Sequence, residues 1–522
     1  MIRVKTVIAV LLPLLAVLSS VAANPVYNVR DLGATGNKDD DATAAIQRAI
    51  DSAAVVAGTV IIPKGEYRSL PLRLYSNVTL KIEAGATLYA DIKNPLFRGG
   101  AFISAEKCDN ITITGKGTID GQAVYVYENV RGGDPEITGA MEIAGAAGIE
   151  MKRYYRAPGY AAAFNLLMRA CTDLTIEGIT FVNSSLWCMR ISGCNRVNIR
   201  NVNVFSSLEK GVNSDGIDID GSANVHITSS NIATGDDAIC IKSGIWKRGG
   251  QSKIHVAENI IVDNCILSSS SAALKLGTES HGDMRNIIFT NCVVVNSNKG
   301  IEINVQDGAN VSDVLVSNIT MDLKRRHWNW WGDAQVFNLV LKKRRDSSRE
   351  GSIRNVRISD IVAHAQGTSR ITSLLKTPVE DFTLSNVKIF MEAESTPDKR
   401  TSDAMQFKNV SGLKVKDVEI YWAEDNTEPK WKSALVLEKV NGFELQGLKV
   451  RQAFFPSAVP AVTVVNCTGG IIFNCIAQQH TGTFFHFSGN RTSNITFEKN
   501  FTSNAAKPVT IAGNVKPGTI IH

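Results

Sequence analysis

The chain has 522 residues, a formal net charge of +6 at pH 7 and a hydrophobic fraction of 44%. This hydrophobic content is sufficient for a large core, and the charge is too small and too dispersed to indicate a nucleic-acid-binding protein. A mildly positive charge is compatible with an acidic polysaccharide as a partner. The length alone would suggest several domains, but repeat proteins of this size also form single units.

The first residues have the pattern of a secretory signal peptide. Arg3 and Lys5 precede an apolar run from Val7 to Leu18, and Val21-Ala22-Ala23 supplies small residues for cleavage. We therefore expect residues 1–23 to be a signal peptide and the mature protein to be secreted or periplasmic. The apolar run is too short for a comfortable membrane span, and no other window approaches that length, so we predict no membrane span.

The next recognisable element is a helix. Residues 42–54 carry apolar side chains at helical spacing, namely Ala45, Ile46, Ala49, Ile50 and Ala53. We expect this segment to form a helix that caps the N-terminal end of the domain that follows.

Most of the remaining sequence is a series of short β-type segments that begin at Asn or Asp turns. Apolar residues recur once in each segment, as shown by Ile176, Ile199, Ile227, Val262, Phe289 and Val316. This period predicts an all-β protein, a right-handed parallel β-helix or solenoid that spans residues 24–522 as a single domain. The closely spaced hairpin turns of a β-sandwich are missing.

Two long insertions interrupt the period and offer aromatic and cationic side chains. The first, near residues 121–168, contains Tyr125, Tyr127, Arg153, Tyr154, Tyr155 and Arg156. The second, near residues 323–350, contains Arg325, Arg326, His327, Trp328, Trp330, Trp331 and the run Lys342-Lys343-Arg344-Arg345. Either insertion could wall a sugar-binding groove, or could simply cover a sheet edge.

The nine cysteines include two pairs at matching points of adjacent repeats, Cys171 with Cys194 and Cys265 with Cys292. Recurrence at a repeat position predicts buried, stacked thiols that act as small hydrophobic side chains. A disulfide framework is the alternative.

Register across the repeats predicts which side chains face outward. Since side chains alternate along a strand, pairing Ile217 with Ile239 defines the outward columns of the neighbouring coils. One column contains Arg190, Asp218, Cys240, Lys275 and Glu302, and the next contains Ser192, Asp220, Lys242, Gly277 and Asn304. These columns predict a charged groove in the middle of the solenoid, as a polymer-binding cleft requires.

Three acids lie where two of these coils begin. The segments Asn213–Asp220 and Gly235–Lys242 align so that Asp215 matches Asp237. Strict alternation would turn both carboxylates inward, which is expensive without partners, so we expect a bend that delivers them to the groove. Stacked coils would then bring Asp215, Asp236 and Asp237 within one or two strand spacings of about 4.8 Å. Like charges at that distance raise the pKa of at least one acid, as a hydrolase requires.

These residues resemble the polygalacturonase family, glycoside hydrolase family 28. The resemblance rests on Asn213-Ser214-Asp215, Gly235-Asp236-Asp237 and Ser280-His281-Gly282, which match the family's three motifs in order and spacing. It implies hydrolysis of a glycosidic bond with inversion. Asp236 would be the general acid, Asp215 and Asp237 would hold and deprotonate the attacking water, and His281 would orient the carboxylates or share a proton with one of them.

The sequence departs from the family at one motif. Where the family has Arg-Ile-Lys, which holds a uronic acid carboxylate, this chain has Glu302-Ile303-Asn304. Lys242 and Lys275 could replace the lost cations in part, or Lys275 could pair with Glu302 and Arg190 with Asp218 across adjacent coils. We expect the substrate-binding residues to be Asn213, Lys242, Lys275, Glu302 and Asn304.

The sequence therefore predicts a secreted inverting glycosidase that cleaves a pectin-type or related acidic plant polysaccharide. We expect a polysaccharide or oligosaccharide substrate, a monomer, no nucleic-acid partner, and no metal ion or cofactor. One alternative is a Ca²⁺-dependent polysaccharide lyase, in which the three aspartates hold the ion and Lys242 or Lys275 abstracts a proton. Another is a glycan-binding solenoid without catalytic activity.

Overall fold

A computed structural model describes residues 25–97, 100–129, 138–150, 154–157, 160, 163–248, 251–326, 332–516 and 518–521. The predicted signal peptide, residues 1–23, lies outside the described residues. So do Arg153, His327, Trp328, Trp330 and Trp331 of the two insertions. None of the helices in the described ranges is long and apolar enough to cross a membrane.

The described strands pair in parallel from one coil to the next, as the repeat predicts. The chain turns through three columns of strands and then rises by one strand spacing. Long strands in the C-terminal half continue around a corner and contribute to two columns. The all-β class and the parallel β-helix are confirmed, and such parallel connections are right-handed.

The first column carries the predicted groove. Its strands are Leu72–Arg73, Ala101–Glu106, Phe164–Arg169, Met189–Ser192, Ile217–Asp220, Ile239–Ser243, Ala272–Ser280, Lys299–Val305, Gln335–Leu341, Ser369–Ser373, Met405–Trp422, Leu435–Gln446, Pro460–Val465, Thr481–Ser488 and Ala505–Ile511. We call this column the site sheet.

The second column contains the strands that follow those of the site sheet, together with Val26–Asn28 and Thr59–Ile62 at the N-terminal end. Its strands are Val26–Asn28, Thr59–Ile62, Thr79–Ile82, Asp109–Gly115, Thr172–Glu177, Asn195–Arg200, Ala223–Thr228, Ala257–Asp263, Met284–Ser297, Asn310–Leu323, Ser352–Ala365, Val379–Met391, Thr468–Phe473, Ser493–Glu498 and Ile520–Ile521. The third column contains Gly65–Ser69, Ala86–Ala90, Thr118–Asp120, Thr180–Val182, Asn203–Phe205, Asn231–Thr234, Ile266–Ser269, Lys449–Val450 and Ile476–Ala477.

The helices and hairpins lie outside these columns. The helix Thr43–Val56 buries the predicted face of Ala45, Ile46, Ala49, Ile50 and Ala53 at the N-terminal end. The other helices are Thr138–Ala146 and the short 3₁₀ turns Pro95–Phe97 and Ala123–Tyr125. Two antiparallel hairpins pair Tyr127–Asn129 with Tyr154–Arg156 and Ile245–Arg248 with Gln251–Ile254.

Asparagine turns fix the register of the coils. Asn224, Asn259 and Asn286 have positive φ angles of 55–58°, a conformation that asparagine tolerates better than most side chains. The Nδ2 of Asn259 donates to the Oδ1 of Asn224 at 3.1 Å, and that of Asn286 donates to Asn259 at 3.1 Å. Each turn therefore hydrogen-bonds to the turn below it.

The interior is a continuous stack of apolar side chains. Met189, Ile217, Ile239, Leu274 and Ile301 follow one another in register, as the sequence alignment predicts. All nine cysteines are buried and free, which agrees with stacked thiols rather than disulfides. Pairing runs without a break from Val26–Asn28 to Ile520–Ile521. The assignment of residues 24–522 to a single domain stays a prediction.

Candidate active site

The three acids of the predicted site lie at the start of two neighbouring strands. Ile217 pairs with Ile239, and the backbone N–H of Gly216 donates to the carbonyl of Asp237 at 2.8 Å. Asp215 and Asp237 thus occupy equivalent positions in successive coils. Both precede their strands, Ile217–Asp220 and Ile239–Ser243, so strand alternation does not govern their direction. The predicted bend is present.

Two glycines lie at this bend, where other backbone segments approach closely. A Cβ on Gly216 would lie 2.4 Å from the carbonyl oxygen of Ala238, and a Cβ on Gly235 would lie 2.4 Å from that of Ser207. Any side chain at either position would collide with backbone. The backbone of neighbouring segments can therefore pack closely beside both Asp215 and Asp236.

The carboxylates converge on one pocket. One oxygen from each of Asp215, Asp236 and Asp237 lies within 4.8 Å of the others. The three side chains are almost fully buried, yet all of them line a pocket of about 110 Å³. Its full lining is Trp187, Asn213, Asp215, Asp236, Asp237, Lys242, Lys275, Thr278 and Glu279. The sequence-predicted residues Asn213, Lys242 and Lys275 are therefore brought together with the three acids.

Lys242 is the cation nearest Asp215. Its Nζ lies 3.2 Å from Asp215 Oδ2, 3.3 Å from Asp218 Oδ1 and 3.5 Å from Glu279 Oε2. The same group lies 4.1 Å from the centre of the Trp187 ring, a cation–π contact. One lysine thus contacts three acids. Because negative charge exceeds positive charge around it, the pKa values of these acids are shifted.

Lys275 is the cation nearest Asp237. Its Nζ lies 2.8 Å from Asp237 Oδ2 and 3.4 Å from Glu302 Oε2. Glu302 in turn accepts from Lys299 Nζ at 2.6 Å and from Asn338 Nδ2 at 3.0 Å. The predicted Lys275–Glu302 pair is confirmed. We call Asp237, Lys275, Glu302 and Lys299, whose charges alternate, the buried charge chain.

The three acids have divergent proton affinities. Burial, and then the charges of Asp215 and Asp237, raise the pKa of Asp236 well above its ordinary value. Burial and Asp218 also raise the pKa of Asp215, although Lys242 opposes them. Burial alone would raise the pKa of Asp237, but Lys275 and Lys242 together lower it to about 2. The site therefore holds a carboxylate at Asp237 beside acids that retain protons.

Asp218 belongs to the same electrostatic group. It is fully buried, and burial raises its pKa to about 7 despite the nearby Lys242. The predicted alternative of an Arg190–Asp218 pair is wrong, because Arg190 donates instead to Asp220 Oδ2 at 2.6 Å. Asp218 faces Lys242 on the next coil, so it is not available to Arg190.

Three predicted residues lie outside the pocket lining. His281 Nε2 lies 3.8 Å from Asp307 Oδ2, and Arg344 holds that same carboxylate through contacts of 2.7 and 2.8 Å. Glu302 lies behind Lys275 in the buried charge chain. Asn304 follows on the same strand, where Gly277 packs against its backbone. Roles in catalysis for His281 and in substrate binding for Glu302 and Asn304 stay predictions.

Sequence reasoning missed Trp187, Thr278 and Glu279, which line the pocket. Trp187 could have been found by register, since the pairing of Met189 with Ile217 gives it the position that Asp215 has one coil later. Thr278 and Glu279 could not, because the strand pairing shifts register between Ile241 and Ser243.

Parts of both insertions contact loops beside the pocket. The hydroxyl of Tyr127 donates to the carbonyl of Val212 at 3.2 Å, and that of Tyr154 donates to Glu209 at 3.3 Å. From the second insertion, Arg344 donates to the carbonyl of Thr278 at 3.2 Å. These contacts support the segments that carry Asp215 and Glu279.

Sequence comparison identifies the family. Residues 53–326 match the model of the glycosyl hydrolases family 28. The chain belongs to this family. This family-28 chain is 30% identical over 230 residues to an exopolygalacturonase of Zea mays, covering 42% of this chain and 50% of the maize protein. It is 27% identical over 220 residues to a polygalacturonase of Nicotiana tabacum, covering 41% of this chain and 49% of the tobacco protein. The chain thus spans about half the length of the curated relatives it matches.

A solved structure supports the fold of the family-28 chain. A hyperthermoactive exopolygalacturonase from Thermotoga maritima superposes with a TM-score of 0.60 and 21% identity, covering 76% of this chain and 92% of that one. At this identity the likeness shows the fold alone. It agrees with the right-handed parallel β-helix.

The family-28 site is a poor match for the calcium ion of the lyase alternative. Ca²⁺ takes six to eight oxygen ligands. Among the described residues, the acids that lie close enough together to share a metal ion are Asp215, Asp236 and Asp237. Lys242 and Lys275 already place ammonium groups at 3.2 and 2.8 Å from two of them. Bound cations there would be repelled, so the donor set does not fit calcium.

Proposed function

We propose that the protein is a glycoside hydrolase that cleaves a pectin-type acidic polysaccharide, with Asp236 as general acid and Asp237 as general base. The observation that carries the proposal is the split in proton affinity between two neighbouring acids in one pocket. Such a split assigns the protonated and ionised partners of acid–base catalysis. Family membership supports the reaction class.

In the proposed reaction, protonated Asp236 donates its proton to the glycosidic oxygen as the bond to the anomeric carbon breaks. The electron pair of that bond stays on the oxygen of the leaving sugar. A water molecule forms the new bond to the anomeric carbon and gives a proton to Asp237. Asp215 Oδ1 makes no hydrogen bond to any described residue, so it is available to orient the water. Proton exchange with solvent restores both acids.

We propose inversion at the anomeric carbon, which the family resemblance implies. Inverting enzymes usually separate their two carboxyl groups by about 6.5–9.5 Å, and retaining enzymes by about 5–5.5 Å. The nearest carboxylate oxygens here are within 4.8 Å of one another, so distance alone would favour a retaining enzyme. The proposal of inversion therefore rests on the family resemblance.

The substrate assignment rests on relatives and on the pocket. The maize relative is named an exopolygalacturonase and the tobacco relative a polygalacturonase, and the cations Lys242 and Lys275 line the pocket. Both cations are already paired with acids, however, so the carboxylate-holding role of the family's missing Arg-Ile-Lys motif must be met elsewhere. Export of the protein, action outside the cytoplasm and a monomeric state are part of the proposal.

A screen of defined oligosaccharides tests this function, with product stereochemistry read by NMR. Hydrolysis of an oligogalacturonide or a related acidic oligosaccharide, with inverted product, is the expected result. Products that absorb through a new double bond would establish the lyase instead. Binding without any cleavage would establish a glycan-binding solenoid, and retention would overturn the single-displacement mechanism.

A further inference from the structure

Two arginines lie side by side on the site sheet, on the N-terminal side of the pocket. Arg169 ends the strand Phe164–Arg169, and Arg190 lies on the neighbouring strand Met189–Ser192. Leu167 pairs with Arg190, and Arg169 pairs with Ser192. Both arginines are partly exposed, whereas Met168 and Met189 beside them are buried. The two guanidinium groups therefore share the outer face of the sheet that carries the acids.

The two arginines differ in the ion pairs that they make. Arg190 donates to Asp220 Oδ2 from Nε at 3.2 Å and from Nη2 at 2.6 Å. Asp220 is fully buried and also accepts from Ser192 Oγ at 2.8 Å and from the backbone N–H of Gly244 at 2.8 Å. The Asp220 carboxylate is thus already paired with Arg190. The Arg169 side chain makes no hydrogen bond or ion pair with any residue in the described part of the chain.

An arginine that has no acidic partner among the described residues and lies beside a second arginine favours an anion that joins the two. Burial and the charge of Arg190 lower the pKa of Arg169, although the charge of Asp220 opposes them. A carboxylate between the two groups would remove this repulsion and accept charge-assisted hydrogen bonds, which are the stronger class. The pair is therefore preorganised for an anionic group.

Aromatic side chains border the arginine pair at both ends of its strand. The Arg190 guanidinium lies 5.0 Å from the centre of the Trp187 ring and 5.7 Å from that of Phe164. At the other end, a Cβ on Gly193 would lie 2.4 Å from the Trp246 ring, so this indole covers the turn after Ser192. Aromatic faces are suited to sugar rings. Trp187 also lines the catalytic pocket, so the two regions are continuous.

We propose that Arg169 and Arg190, between Trp187 and Trp246, bind the carboxylate of a uronic acid unit next to the one that is cleaved. Met189–Ser192 adjoins Ile217–Asp220, which adjoins Ile239–Ser243. At about 4.8 Å per strand, the strand of Arg190 lies roughly 5 and 10 Å from the two strands that follow the pocket acids, and the strand of Arg169 lies roughly 10 and 14 Å from them. These distances suit a neighbouring sugar of the same polymer. This subsite rests on the proposed function. It would supply cations to the substrate in a chain where Glu302 and Asn304 replace the Arg and Lys of the family's Arg-Ile-Lys motif.

Binding measurements on a non-hydrolysing protein test the subsite. In the Asp236→Asn background, calorimetry compares trigalacturonate with its methyl ester, before and after Arg169→Gln. The expected result is that Arg169→Gln weakens trigalacturonate binding about tenfold or more, as the loss of one charge-assisted hydrogen bond predicts. Affinity for the methyl ester stays unchanged. Because Arg169 makes no ion pair with a described residue, its replacement breaks none within the described part of the chain.

Arg200→Gln is the matched control. Like Arg169, Arg200 is the last residue of its strand and faces outward. It differs in that it pairs with Glu177 at 2.5 Å and lies on the second column. This variant should leave both affinities unchanged. Equal losses for acid and ester, or no loss with Arg169→Gln, would overturn the subsite while cleavage by the wild-type protein still supported the proposed function. If the wild type neither cleaves nor binds acidic oligosaccharides, both proposals fail.

Discussion

Lys275 Nζ lies 2.8 Å from Asp237 Oδ2, in the interior of the site sheet. This contact holds Asp237 ionised, although burial opposes its charge. Asp236, the adjacent residue in the chain, has its pKa shifted in the opposite direction. Lys275, on the following coil, is thus the largest of the cationic contributions that hold the pKa of the base below that of the acid.

Replacing this lysine should shift the pH dependence of turnover. In Lys275→Met the pKa of Asp237 rises, because its nearest positive charge is lost. The base must be ionised to act, so the acidic limb of kcat/KM should move to higher pH by about one to three units. Lys416→Met, which removes a partly exposed lysine paired with Glu444 at 3.1 Å, is the control. An unchanged acidic limb would show that Lys275 does not ionise the base.

Glu302 should contribute to stability. Its carboxylate is the acid that pairs with buried Lys299, at 2.6 Å. Removing one partner of a buried ion pair leaves an uncompensated charge, which costs about 3–5 kcal/mol. We expect Glu302→Gln to lower the free energy of unfolding by that amount in denaturant titrations, and Glu302→Gln with Lys299→Met to recover part of it. A single variant as stable as the wild type would show that the pair is not needed.

Asp218 should make stability depend on pH. Its pKa is raised from 3.8 to about 7, so the folded protein keeps a proton that the unfolded chain loses. The contribution of Asp218 to the free energy of unfolding is therefore fully present below about pH 4 and is lost as the pH rises through about 7. The melting temperature of Asp218→Asn, compared with that of the wild type, should rise progressively over this range. A constant difference from pH 4 to pH 8 would contradict the shifted pKa.

Chelation should leave activity unchanged. Because ammonium groups already contact Asp215 and Asp237, we expect turnover to be equal with and without a calcium chelator, and added Ca²⁺ to give no increase. The measurement is the initial rate of reducing-end release. A loss of rate in chelator that calcium restores would favour the lyase reading.

The sequence predicted the parts of the structure that follow from period and alternation. Ile217 and Ile239 pair as aligned, because one residue per coil must fill the same place in the core. The meeting of Asp215 with Asp237 follows from the same register. The helical spacing of Ala45 to Ala53 was sufficient to predict the buried face of the first helix.

Other features depend on side-chain reach and on local breaks in register. Arg190 bypasses Asp218 and reaches Asp220, two residues further along the adjacent strand, because its side chain is long and Lys242 takes Asp218. The shift after Ile241 moves His281 towards Asp307 and leaves Glu279 at the pocket. Neither outcome can be read from a two-residue alternation.

The most direct test of the account is the turnover of Asp236→Asn on a substrate that the wild type hydrolyses, with binding measured in parallel. Loss of the general acid should reduce kcat by more than about a hundredfold while the substrate still binds. Asp283→Asn, which alters an aspartate that contacts Asn310 elsewhere on the solenoid, should retain the wild-type rate. A near-normal rate for Asp236→Asn would contradict the assignment of these three acids as the hydrolytic site.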